Sequence, residues 1–410
     1  MIIPSIDIMD GKAVQLQQGK TKVLEKENVF ELAEYFSRFG EIAVIDLDSA
    51  MNKGDNEELI KTLCNKYSCR VGGGIRDIDK AKRLISYGAK KLIIGTAANE
   101  DFLKKLPKDR IMVAIDSKYG EVVTEGWTSK TGESPTDWIR RFDDLCSGYL
   151  YTIVEKEGMM EGTDLEAIKK IAKSTKNPIV AAGGISSIQE ILSLEEINVS
   201  SQLGMAIYTG KIDLEQAFLG VMDFEKYPDR LIPTIVQDIK TKQVLMLAYS
   251  NIQSLEKTLK TGKSTYYSRS RNELWTKGET SGNIQKLVSA RFDCDRDALL
   301  FLVEQTGNAC HLERFSCFGE KEFVIEDLYD LLLDRKEKLP EKSFTTKLFN
   351  DRNFLNSKIL EEAKEVTDFE NGEDDLGWEA ADLTYFVLTL MAQNNVTPKE
   401  VLNNLDSRRK

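Results

Sequence analysis

Three of the six cysteines and the only histidine of this 410-residue chain fall within residues 293–317, DCDRDALLFLVEQTGNACHLERFSC. Thiolates gathered with one imidazole point to metal binding or catalysis. Cys294, Cys310 and Cys317 would suit Zn2+ and leave a fourth position open, the arrangement of a catalytic zinc. No CxxC is present, so the spacing is not that of a zinc finger. Asp293, Asp295 and Asp297 alternate around Cys294; on an extended segment they face one way and Cys294 the other. Three carboxylates on one side repel unless a hard cation such as Mg2+ sits among them. Buried structural cysteines, Asp297 capping a helix over DALLFLVEQ, and a solvated acidic turn would account for the same window.

Carboxylates also stand out near the end of the sequence. LNSKILEEAKEVTDF carries an apolar stripe of Leu355, Ile359, Ala363, Val366 and Phe369 with Glu362 inside it. Glu379 and Asp382 are the only charges of WEAADLTYFVLTLM. A buried carboxylate needs a partner or a metal. Glu361, Glu362 and Glu365 facing Glu379 and Asp382 would form an oxygen cage suited to Mg2+ and a polyphosphate. Salt bridges to Lys358 and Lys364 are the alternative.

The elements that must position these residues follow from periodicity. Over residues 1–225, IIPSIDI, AVIDLD, SCRVGG, KLIIGTA, IMVAIDS, YLYTIVE, NPIVAAGG and VSSQLGMA read as strands separated by amphipathic helices. Eight such strands predict a (β/α)8 TIM barrel. Residues 72–97 are echoed by 182–206: a glycine pair (Gly73 and Gly74; Gly183 and Gly184), a helix, and a second strand ending in glycine (Gly95; Gly204). The barrel therefore reads as two similar halves. Chemistry in such a barrel sits where the strands end. Asp7 ends strand 1 and Asp116 strand 5, on opposite sides, so one can act as base and the other as acid. The glycine turns after strands 3–4 and 7–8 could each hold a phosphate. Tight turns and helix caps would use the same residues without chemistry.

A polar, proline-bearing linker lies around Lys226–Arg230. Beyond it, residues 226–322 read as a small α+β domain, with a hairpin over LIPTIVQD and QVLMLAYS, strands at STYYSRS and ELWTKGE, and a helix over DALLFLVEQTG. Residues 323–410 read as all-α. A net charge of −11 argues against a nucleic-acid surface. No apolar run reaches the ~20 residues of a membrane span. The opening residues read directly as a strand without a leader, and the few cysteines fit a reducing compartment, so a cytoplasmic protein is expected.

The middle segment resembles phosphoribosyl-AMP cyclohydrolase, carried by YYSRSRNELWTKGETSGN (266–283), DCDRD (293–297) and CHLERFSCF (310–318). That resemblance implies Zn2+ on Cys294, Cys310 and Cys317, with Cys294 coming from a partner chain of a homodimer, and Mg2+ on Asp293, Asp295 and Asp297. It implies hydrolytic opening of an adenine ring by water activated at zinc. His311 is then the candidate proton shuttle, and Arg269, Arg271, Trp275 and Lys277 would hold the phosphoribosyl arm and base. Asn283 departs from the family, which commonly shows histidine there.

The tail's EExxE…ExxD pattern is similar to the all-α NTP pyrophosphohydrolases, and from SFTTKLFND onward to phosphoribosyl-ATP pyrophosphohydrolase, implying Mg2+-assisted release of pyrophosphate. Residues 1–225 resemble the ProFAR isomerases, through IIPSIDIMDGKAVQL, VIDLDSA, VGGGIR, IIGTAA, VAIDSKYGEVVTEGW, AAGGI and GMAIYTGK. Asp7 is then general base and Asp116 general acid of an Amadori rearrangement. Gln15 stands where relatives tend to have arginine, and KEGMMEG puts Glu157 for aspartate and Met159 for threonine. The implied whole is three consecutive steps of histidine biosynthesis on phosphoribosyl nucleotides. The rivals are a bifunctional hydrolase with a scaffold barrel and a tail that is a housekeeping nucleotide pyrophosphatase.

Overall fold

The computed structural model describes residues 1–19, 21–368 and 373–409. Phe369, assigned above to an apolar stripe, lies outside them. The chain divides into two compact units, residues 1–321 with 404–410, and residues 322–403.

The first unit begins with eight parallel strands: β1 (Ile2–Met9), β2 (Ile42–Asp46), β3 (Cys69–Gly72), β4 (Lys91–Ile94), β5 (Ile111–Lys118), β6 (Tyr149–Ile153), β7 (Ile179–Ala182) and β8 (Val199–Leu203). Each pairs with the next, and β8 returns to β1, so the barrel closes. All eight coincide with runs predicted from sequence. Alternation then sorts their side chains. Ile3, Ala43, Ile93, Met112, Leu150, Val180 and Ala182 pack together as one cluster inside the ring. Ile2, Ile6, Val113 and Tyr149 face the surrounding helices. Two steps of two residues carry the inward column of β1 from Ile3 through Ser5 to Asp7, and one step carries that of β5 from Ala114 to Asp116. The period of the strand thus lifts both aspartates to the open mouth.

After the barrel come β9 (Ile232–Asp238), β10 (Val244–Ser250), helix Ile252–Thr261, β11 (Thr265–Ser268), β12 (Glu273–Thr276), β13 (Gln285–Phe292) and β14 (Leu299–Gln305). The main sheet runs β10–β9–β14–β13, with β11 and β12 a separate hairpin. One expectation fails here: DALLFLVEQTG is not a helix but contains β14. Six apolar residues in succession, 298–303, carry neither period, and pairing decides. Leu299, Phe301 and Val303 are buried while the strand bonds to β9 on one side and β13 on the other.

Barrel and sheet share one body. Ala290 N–H donates to the Arg38 carbonyl at 2.8 Å, Lys286 pairs with Glu34 at 2.9 Å, and Phe218 meets Phe292 edge-on at 5.5 Å. The second unit is helical, with Ile325–Lys338, Phe344–Asn350, Arg352–Asp368 and Glu373–Gln393 packed around Tyr329, Leu332, Leu348, Leu355, Phe386 and Leu388. No described helix is long and apolar enough to cross a membrane.

Candidate active sites

A cavity of about 400 Å3 occupies the mouth of the barrel, and both Asp7 and Asp116 line it. Neither is a helix cap. Asp46 and Asp48 show what a structural aspartate looks like here: Asp46 accepts from Ser49 N, Asn56 N and Asn56 Nδ2, and Asp48 from Asp10 N and Asn56 Nδ2. Asp7 accepts from Ser5 Oγ at 2.9 Å, and burial raises it to about 6 against that bond. Asp116 is raised by burial too, opposed by hydrogen bonds from Trp127 Nε1, at 2.8 Å, and the Thr152 hydroxyl. Glu157 shares the cavity; burial, then the charges of Asp7 and Asp116, bring it to about 7. Three carboxylates with pKa values lifted toward neutrality are the equipment of proton transfer.

The six glycines assigned from the repeat, Gly73, Gly74, Gly95, Gly183, Gly184 and Gly204, all line this cavity. The halves match in detail. Gly73 has φ +93° and Gly183 +95°, and a Cβ on either would fall 2.2 Å from Asp46 O or 2.5 Å from Ile153 O. Only glycine allows these turns to press so closely on the neighbouring strand end. Gln15 is buried beside Gly204, and its Nε2 has no hydrogen-bond partner among the described residues. A donor of this kind suits a substrate oxygen. Met159 turns its sulfur to Gln17 instead.

In the middle segment Cys310 and Cys317 lie within hydrogen-bonding reach of each other, the Cys317 thiol raised by burial and then by Cys310. Lys277 stands beside both, its ammonium lowered by burial, with Nζ donating to the Ala309 carbonyl at 2.6 Å. Cys294 is exposed on the loop after β13 and does not join the pair. Two thiols and an exposed His311 next in sequence to Cys310 are donors that suit a thiophilic metal. Arg269 stacks over Tyr249 at 3.7 Å, Arg271 pairs with Glu273 at 3.3 Å, and Trp275 packs on Tyr266 at 5.2 Å.

Asp293, Asp295 and Asp297 bring one carboxylate oxygen each within 4.8 Å of the others. They do so on a turn, with Arg296 at φ +63°, and not on the extended segment expected. Asp293 Oδ1 accepts from the N–H groups of Asp297 and Ala298, which fixes the turn. The oxygen set fits a hard cation. Lys226 reaches in from the segment that joins barrel and sheet, 2.6 Å from Asp295 and 2.5 Å from Asp297. A divalent ion must displace that ammonium. Lys226→Ala should therefore bind Mn2+ about fivefold more tightly by electron paramagnetic resonance, the scale of an exposed ion pair; equal affinity would show that Lys226 does not compete.

In the helical unit Glu362, Glu365 and Glu379 converge, with one oxygen of each within 4.8 Å of the others. Glu362 is raised by burial and by Glu365 and Asp382, and Glu365 chiefly by a hydrogen bond with Glu379. Carboxylates crowded enough to share a proton could hold a divalent cation. Glu361 instead pairs with Lys358 at 2.7 Å, and the same lysine reaches Glu362 at 3.4 Å. Cage and salt bridges therefore coexist.

Comparison with known proteins assigns each cluster to a segment. Residues 1–213, more than half of the chain, match the family model described as histidine biosynthesis protein. The chain belongs to that family. Residues 246–319 match phosphoribosyl-AMP cyclohydrolase and residues 325–409 phosphoribosyl-ATP pyrophosphohydrolase. An imidazole-4-carboxamide isomerase of Methanocaldococcus jannaschii is 37% identical over 230 residues, 53% of this chain and 97% of that protein. A histidine biosynthesis trifunctional protein of Komagataella pastoris is 31% identical over 376 residues, 91% of this chain and 40% of its own length. Its counterpart in Saccharomyces cerevisiae is 49% identical over 182 residues, 44% of this chain and 22% of its own length. The chain thus spans less than half of the trifunctional relatives it matches.

For a member of the histidine biosynthesis family, spacing alone missed Ser5, Trp127, Thr152 and Lys226. Ser5 and Thr152 were open to discovery, because each is an inward position of its strand near an aspartate. Trp127 sits on a loop at φ +70°, where no period points to it.

Proposed function

We propose that the chain catalyses three consecutive steps of histidine biosynthesis: hydrolysis of phosphoribosyl-ATP to phosphoribosyl-AMP and pyrophosphate, hydrolytic opening of the adenine ring to give ProFAR, and isomerisation of ProFAR to PRFAR. One observation carries the reading: each of the three matched segments holds its own assembled groups, two aspartates on one cavity in the barrel, a thiol pair and a separate acidic turn in the middle segment, and a glutamate cage in the helical unit.

In the barrel the glycine turns on opposite sides grip the two phosphates of a long substrate, and Gln15 Nε2 donates to one of its oxygens. Asp116 protonates the ring oxygen of the aminosugar and opens it. Asp7 takes the proton from the neighbouring carbon, and the double bond moves to give the aminoketose. Asp7 works ionised, so kcat/KM rises as pH passes its pKa of about 6. Asp116 works protonated, so the rate falls again at higher pH, and the limbs report the coupled set with Glu157. Two inward carboxylates on one cavity argue against a scaffold barrel.

In the middle segment Cys310 and Cys317 would hold Zn2+, completed by Cys294 of a second copy in a homodimer, and Asp293, Asp295 and Asp297 would hold Mg2+. Glu362, Glu365, Glu379 and Asp382 would hold Mg2+ in the helical unit. Bound there, these ions supply acidified water and charge neutralisation. His311, beside Cys310, moves protons to and from the opening ring, and Lys277 offers its ammonium to a developing negative charge. The absence of a described membrane-crossing helix is compatible with work in the cytoplasm.

The test is growth rescue of three histidine auxotrophs, each lacking one step. Rescue of all three is expected. Rescue of the two hydrolase mutants alone would leave the bifunctional alternative.

A further inference from the structure

We propose that Ser5 is a positioning residue for the barrel's reaction, its hydroxyl fixing which oxygen of Asp7 faces the substrate. The inference rests on the isomerase reading and extends it to a residue that touches no reacting atom.

Ser5 and Asp7 are two apart on β1, so both point inward. Ser5 is 4% exposed and lines the cavity below Asp7. Its Oγ donates to Asp7 Oδ1 at 2.9 Å. That bond leaves Oδ2 as the free oxygen and settles the carboxylate plane, which would otherwise rotate about its last single bond. Ser5 is itself held. Its carbonyl accepts from the Tyr208 hydroxyl at 3.3 Å, and Tyr208 ends the short helix that follows Gly204. The base and the glycine turn after β8 are therefore tied through one residue, which sets the distance between the oxygen that takes the proton and the turn assigned to phosphate.

The charges around Asp7 show why a single donor matters. Glu157 after β6 and Asp116 on β5 share its cavity, where burial, then the charges of Asp7 and Asp116, raise Glu157. Tyr208 after β8 is a neutral phenol whose own ionisation Asp7 disfavours. Asp46, ending β2, is turned to Ser49 and Asn56, and Lys12 on the adjoining hairpin strand is turned out to Glu25 and Glu27. Arg76, after β3, lines the cavity but gives its guanidinium to the carbonyls of Ser49 and Ala50 and to Asn52. Among the described residues, the Ser5 hydroxyl is the side chain that donates to Asp7. A hydrogen bond made to the charged form favours that form.

The experiment compares the full chain with Ser5→Ala and Ser5→Thr. In Ser5→Ala the acidic limb of kcat/KM for ProFAR isomerisation should move up by about one pH unit, the scale of one bond to a charged group. Below the limb this is about a tenfold loss. Ser5→Thr keeps the hydroxyl, suits a strand and should restore the wild-type limb. A second readout does not depend on turnover: 13C NMR titration of carboxyl-labelled aspartate, with Asp7 assigned by the signal lost in Asp7→Asn. Its midpoint should rise in Ser5→Ala and return in Ser5→Thr. A loss of rate equal at every pH, with the Asp7 titration unmoved, overturns the proposal and makes Ser5 a packing residue. A wild-type chain without isomerase activity overturns the isomerase reading instead, and the titration still decides whether Ser5 governs Asp7.

Discussion

Asp7→Asn lowers kcat for ProFAR isomerisation by about 10^2- to 10^4-fold, the contribution of a positioned general base. Asparagine has the size and planarity of aspartate and can still accept the Ser5 hydroxyl through its carbonyl oxygen. The fold and the substrate grip should therefore survive, with KM little changed, and the loss should fall on the chemical step. Asp116→Asn should act with similar size on protonation of the ring oxygen. The electrostatics supply an internal check. Part of what holds Glu157 near 7 is the charge of Asp7 and of Asp116, so its carboxyl should titrate lower in either variant. Neither substitution touches the thiol pair or the glutamate cage, so ProFAR should accumulate when the variant is supplied with phosphoribosyl-ATP. An Asp7→Asn chain that still isomerises within tenfold of wild type would move the base elsewhere, and Glu157 is the carboxylate placed to take over.

How far the sequence carries toward these sites depends on the range of the interaction. The barrel was legible because strand alternation is local: the column Ile3–Ser5–Asp7 can be read by stepping two residues, and the glycine pairs at 73–74 and 183–184 announce a repeated turn. The six glycines meet in one cavity because closure of the ring follows from eight such strands. β14 was not legible, since LLFLV has no period of its own and becomes a strand only between β9 and β13. The acidic turn was half legible. Alternation at 293, 295 and 297 foretold convergence of the carboxylates, but the geometry that achieves it is a left-handed Arg296 and not an extended strand. Lys226 could not have been assigned at all, because a lysine in a polar linker looks like any solvated charge until the fold brings it to residues 295 and 297. Glu361 and Glu362 show the same limit at one remove: adjacent in sequence, both reach Lys358, but only Glu362 joins the cage.

Cys317→Ser should strip the chain of bound zinc and reduce adenine-ring opening by more than about 100-fold. Outer-shell partners of a metal already cost 10- to 100-fold when lost, and a thiolate ligand is closer to the chemistry than they are. Serine is nearly isosteric with cysteine, so the secondary structure should persist in circular dichroism, and the melting temperature should fall only by what bound zinc contributes. Isomerisation of added ProFAR should persist, as should pyrophosphate release, and phosphoribosyl-AMP should build up. Cys294→Ser is the sharper test of how the site is made. Cys294 is exposed and apart from Cys310 and Cys317 in one copy, so a site complete within a single chain would tolerate its loss. A site shared between copies would not, and the defect should be as deep as that of Cys317→Ser. Mixing the two inactive variants then gives opposite outcomes. If Cys294 crosses to a second copy, some mixed dimers contain one site with all three thiols, and zinc and ring-opening activity return together. If neither returns although the chains exchange subunits, the three sulfurs do not meet across an interface, and Cys294 serves only the acidic turn that carries it.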